Sequence, residues 1–120
     1  MVLSGLVTVL SGAGVLVTGL LSVLFLRDPV AGMAATAHRL ERLPQVMANR
    51  YGAMFALALA ATLYGDLKVI ALLFATFAYM GFSDAWIYGR AGSGIAKHVG
   101  AGSAALIVVL VAVLAMGWPA

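Results

Sequence analysis

No cysteine occurs in the 120 residues, and only four acidic side chains stand against seven Lys or Arg. The missing thiols exclude disulfides, thiol redox chemistry and thiolate metal sites. Charged residues make up 9% of the sequence and hydrophobic ones 64%, whereas a soluble domain carries roughly 25% charged residues. A soluble fold is thereby excluded. The net charge of +3 comes from cations scattered among apolar runs; they form no basic patch, so no nucleic acid partner is expected. No Gly-rich phosphate loop, no His-Glu-x-x-His zinc motif and no Ser in an elbow context is present. No metal and no other cofactor is expected, because His38 and His98 alone, without placed partners, are weak evidence for haem.

What remains is long hydrophobic runs. Four of them, at about 2–26, 46–65, 69–88 and 95–116, match the roughly 20 residues a helix needs to cross a bilayer. The expected fold class is therefore all-α, an integral membrane four-helix bundle in a single transmembrane domain covering 1–120. The first run contains no ionisable side chain and lacks the positive n-region of a signal peptide, so it is expected to stay in the mature protein. Gly65-Asp66-Leu67-Lys68 reads as a tight turn, and Gly89-Arg90-Ala91-Gly92-Ser93-Gly94 as a flexible break. Trp118, after Gly117, suits an interfacial position at the end of the last span. Between the first two runs, Asp28 is a good N-cap with Pro29 at the first helical position, and apolar residues recur at helical spacing. The pattern predicts an interfacial helix over 29–43 lying on the inner leaflet, with a plain connector as the alternative.

Four spans put both termini on one side. Arg27, Arg39, Arg42, Arg50, Arg90 and Lys97 then fall on the other side, against Lys68 alone. That asymmetry predicts cytoplasmic polar loops and outward-facing termini. In lipid, helices associate through small residues. Gly5, Gly12 and Gly19 recur every seventh residue of the first span, a seam for a homo-oligomer or for a subunit of a larger membrane complex. Gly100-Ala101-Gly102-Ser103-Ala104-Ala105 allows similar close approach by the fourth span.

Ionisable groups inside spans are costly and each needs a reason. Arg50, Asp84 and His98 come from three different spans, yet each lies about one turn inside the same cytoplasmic boundary, roughly 6 Å deep at 1.5 Å per residue. A shared polar site would produce this coincidence. Asn49, Tyr51, Ser83 and Tyr88 are candidate hydrogen-bonding ligand contacts beside it. Helical periodicity puts Ala101, Gly102 and Ala105 on the face of His98, and Phe77, Met80 and Gly81 on the face of Asp84, so the site is expected to have an apolar floor. Two accounts compete. In the structural one, an Arg50–Asp84 ion pair locks two spans and His98 donates to the carboxylate. In the chemical one, Asp84 orients His98 as acid or base and Arg50 holds an anionic or carbonyl oxygen.

The order of these residues, with Asn49-Arg50-Tyr51-Gly52 opening an Ala-rich second span, Asp84 late in the third, Gly89-Arg90 next and His98 early in the fourth, resembles a family of small four-helix bacterial membrane proteins of unknown function in the DoxX-like neighbourhood. The resemblance covers nearly the whole chain and implies a four-helix fold with a shared polar site in the bacterial cytoplasmic membrane. It implies no reaction. The function expected is a pocket near the cytoplasmic face for a small apolar or amphipathic molecule, with isomerase or cyclase chemistry as the enzymatic version. The alternative is a non-catalytic accessory or scaffold subunit. Proton-coupled transport ranks last, since the outer halves of the spans offer only Ser, Thr and Tyr64 as polar groups.

Overall fold

The computed structural model describes residues 2–117; Trp118 lies outside them. The chain is all-α: α1 (Val2–Arg27), α2 (Pro29–Ala35), a 3-10 turn (Leu40–Arg42), α3 (Leu43–Tyr64), α4 (Leu67–Arg90) and α5 (Ala96–Gly117). α1, α4, α5 and the segment Leu40–Tyr64 are long and apolar enough to cross a membrane, which makes this a multi-pass membrane protein by length and composition. The residues divide into two compact units, one ending at Asn49 and the other beginning at Arg50.

In the first unit, Asp28 ends α1 and caps α2, its carboxylate accepting from the Ala31 N–H at 3.1 Å with Pro29 next in line. Pro29 has no N–H to leave unpaired at that position. The Phe25 ring of α1 lies on Gly32 of α2, so close that a β-carbon there would stand 2.7 Å from the ring. The helix expected over 29–43 is not continuous. It stops at Ala35, where the His38 N–H donates to Met33 O at 2.8 Å and the Ala37 N–H to Ala34 O at 3.2 Å. This is a Schellman stop, and it needs a left-handed residue after the cap; Ala37 takes that role with φ of 56°. Arg39 is then extended before the 3-10 turn. α3 starts at Leu43, with Pro44 tolerated in the first turn because an N–H there has no intrahelical acceptor.

In the second unit, Asp66 caps α4 by accepting from the N–H groups of Lys68, at 2.8 Å, and Val69, at 3.3 Å. α4 ends in another Schellman stop, the Ser93 N–H donating to Tyr88 O at 2.9 Å with Gly92 left-handed at φ of 78°. The chain reverses there and α5 packs back along α4. The buried residues of this pair are all small: Ala71, Ala78, Gly81 and Ala85 on α4, and Gly102, Ala105 and Ala112 on α5. Their spacings of three, four and seven are those of left-handed helix pairing. No large side chain is fully buried and no polar residue is buried among the described residues. Many large apolar side chains, Leu20, Leu63, Leu72 and Leu114 among them, are exposed, as expected of helices in lipid, since Leu or Val gains nothing by leaving hydrocarbon for the protein interior.

Candidate functional site

The α4–α5 reversal creates the site. Asp84 precedes Arg90, the last residue of α4, by six positions, and His98 is the third residue of α5. One helical turn away, Gly81 and Gly102 bring the two backbones into contact: a β-carbon on Gly81 would stand 2.7 Å from the Gly102 nitrogen and 3.1 Å from the His98 carbonyl oxygen. Side chains that flank so close a crossing must face each other. His98 Nδ1 lies 3.9 Å from Asp84 Oδ2. That is ion-pair range but too long for a direct hydrogen bond, so a water or a ligand atom has room to bridge the two. Tyr88, one turn beyond Asp84, stacks on the His98 imidazole with ring centres 4.9 Å apart and planes inclined by 13°. α4 thus sets Asp84 near the edge of the imidazole and Tyr88 against its face. The side chains of His98 and Asp84 remain 32% and 44% exposed.

That exposure opens onto a cavity of about 330 Å³ within the second unit. α3 contributes Tyr51 and Met54, α4 contributes Phe74, Phe77, Met80, Gly81 and Asp84, and α5 contributes His98, Ala101, Ala104, Ala105 and Val108. Along α4, Asp84 is the lining residue nearest the reversal, and along α5 it is His98. The cavity therefore has one polar end, at the α4–α5 turn, and an apolar remainder running toward the middle of the spans. Phe74 and Phe77 meet edge to face there, 5.3 Å between centroids.

Several expected contacts fall elsewhere. Arg50 is exposed, does not line the cavity and forms no ion pair with Asp84 among the described residues; the carboxylate's partner is His98. Asn49 and Ser83 are not part of the lining either, and Tyr88 acts through the His98 ring instead of facing the cavity. Phe74, Ala104 and Val108 were not anticipated. Their signal was available in periodicity, since Phe74 is i−3 from Phe77, and Ala104 and Val108 extend the His98 side of α5 by helical steps. On a different groove of the hairpin, lined by Phe82, Ala85, Trp86, Gly89, Arg90 and Ile95, the Arg90 guanidinium sits 5.8 Å from the centre of the Trp86 ring. No group of three or more metal-ligating His, Asp or Glu occurs among the described residues.

No protein-family model, curated protein or solved structure matches this chain. The chemistry of the site is accordingly read from its own geometry: a carboxylate and an imidazole, held by two helices, at the polar end of an aromatic and aliphatic cavity.

Proposed function

We propose that this protein is a multi-pass protein of a bacterial cytoplasmic membrane that binds a small apolar or amphipathic molecule in the cavity between α3, α4 and α5. The observation that carries the reading is the Asp84–His98 pair, 3.9 Å apart at one end of an otherwise apolar cavity. Intramembrane ionisable groups that face a cavity instead of lipid generally serve a ligand, and cavities of about 300–1,000 Å³ with few convergent polar groups are the usual form of small-molecule sites. The reaction class such a pair permits is proton transfer, with His98 as acid or base and Asp84 orienting it; isomerisation and cyclisation belong to that class. Such pairs are often long without a ligand and tighten around one. The cation distribution supports cytoplasmic loops and outward termini, which puts the polar end of the cavity near the cytoplasmic leaflet.

Native mass spectrometry of the protein released from membranes tests the pocket. A lipophilic molecule that accompanies the wild type and is lost from Ala104→Phe, which fills the cavity from an exposed position, supports it. An identical complement in both proteins refutes it.

A second reading, an accessory subunit or homo-oligomer, is favoured by α1. Gly5, Gly12 and Gly19 recur every seventh residue of α1, a stripe of small residues that lets a second helix approach closely. That stripe would serve a neighbouring helix. Gly12→Leu would then abolish assembly on size exclusion while leaving ligand retention by the dissociated chain intact.

A further inference from the structure

We infer that the cavity accepts a lipophilic organic cation, an ammonium or phosphonium centre on an apolar body. The inference rests on the pocket reading above and adds to it the sign of the ligand's charge. The basic residues of the second unit are Arg50, Lys68, Arg90 and Lys97, and none of them lines the cavity. The oxyanion partner that Arg50 was expected to supply is therefore absent from the lining. The carboxylate of Asp84 faces the space instead, 44% exposed, with the imidazole of His98 3.9 Å away. A carboxylate at membrane depth calls for a counter-charge, and an imidazole beyond hydrogen-bond distance, with one face covered by Tyr88, leaves room for one carried by a ligand.

The remaining lining points to the same sign. Tyr51, Phe74 and Phe77 put three aromatic rings around the cavity, and aromatic faces attract cations and repel anions through the ring quadrupole. Met80 adds a polarizable thioether that adapts to apolar bodies of different shape. An anion would meet the Asp84 carboxylate with no guanidinium or ammonium group to compensate. A neutral ligand would gain the apolar contacts and leave the carboxylate unanswered. A cation gains both the apolar contacts and the charge–charge attraction.

Equilibrium dialysis of the detergent-solubilised full chain distinguishes these cases with three probes of similar shape: tetraphenylphosphonium, its isosteric anion tetraphenylborate, and neutral triphenylphosphine oxide, each corrected for empty micelles. The phosphonium is expected to bind at least roughly tenfold more tightly than the phosphine oxide, the contribution of one ionic contact, and the borate not above background. Asp84→Asn brings the cation down to the neutral probe, Asp84→Glu restores the preference, and Ala104→Phe weakens both probes. The wild-type comparison carries the test by itself even if Asp84→Asn fails to assemble. Equal binding of cation and neutral probe, both lost in Ala104→Phe, overturns the charge inference and leaves the pocket reading standing. Preferential binding of the borate overturns it also. Failure of all three probes, or binding indifferent to Ala104→Phe, overturns the inference and the pocket reading together.

Discussion

Gly81 of α4 and Gly102 of α5 touch backbone to backbone, so that a β-carbon on Gly81 would lie 2.7 Å from the Gly102 nitrogen and 2.8 Å from its Cα. Backbone atoms cannot swing aside as a side chain does, so Gly81→Ala must push the helices apart. A cost of about 1–3 kcal/mol is expected, as for overpacking in a well-filled interior. It should appear as a lowered unfolding temperature in detergent. Gly100→Ala, where nothing lies within 4 Å, is the control and should be neutral or slightly stabilising.

The four spans were legible because hydropathy over 20 residues is a sum, insensitive to any one side chain. The polar site was legible only in part. Asp84 and His98 could be matched by depth, since the α4–α5 reversal is short and Gly92 announces it. The same depth rule groups Arg50 with them, yet Arg50 does not line their cavity, because depth along a helix says nothing about rotation around it. Tyr88 lies beside the site in sequence, but its stacking on His98 depends on where a neighbouring helix places a ring. The heptad of Ala71, Ala78 and Ala85 carries little signal in the sequence, because alanines are common throughout it. The alanines of α4 are buried against α5.

Ala37 sits in the left-handed region at φ of 56°, where a β-carbon is penalised by about 1 kcal/mol or more and glycine is not. Its N–H and that of His38 nonetheless close the end of α2. Ala37→Gly should therefore slow amide exchange at His38. A faster exchange would mean that the flexibility glycine adds to the unfolded chain outweighs the relief of strain.

Arg50 and Asp84 separate the structural account of the polar cluster from the geometry observed. Were they an ion pair locking two spans, removing either charge would destabilise the protein alike. With Arg50 exposed and Asp84 beside His98, Arg50→Gln should change the unfolding free energy by less than about 0.5 kcal/mol, the usual range for exposed positions. A double-mutant cycle with Asp84→Asn should return no coupling between the two. Coupling between Asp84 and His98 is expected instead, below about 1 kcal/mol for a pair so accessible.

The stacked rings of Tyr88 and His98, 4.9 Å apart, have a spectroscopic signature. The His98 ring protons should be shifted upfield by the Tyr88 ring current, and Tyr88→Phe should preserve the shift while Tyr88→Leu removes it. The aromatic contact beyond simple burial is worth about 0.5–1.5 kcal/mol, so Tyr88→Leu should also lower stability and broaden the His98 signals. Loss of the shift in Tyr88→Phe would show that the hydroxyl, not the ring, holds the imidazole.

Orientation follows from charge, and the absence of native cysteine makes it directly measurable. Six of the seven Lys and Arg lie on the side of the two polar loops if four helices cross, and cations near span ends are retained in the cytoplasm. Single cysteines at Thr36 and Ser93 should thus resist a membrane-impermeant maleimide in intact cells and react after permeabilisation. A cysteine at Lys68, in the turn between α3 and α4, should react without permeabilisation. The reverse pattern would put the polar end of the cavity near the outer leaflet and contradict the positive-inside reading. Equal labelling of all three in intact cells would mean insertion in both orientations, which a six-to-one asymmetry argues against. Lys68→Cys itself removes the one opposing cation and so strengthens the predicted bias, whereas the Thr36 and Ser93 variants keep Lys68 and report the native charge pattern.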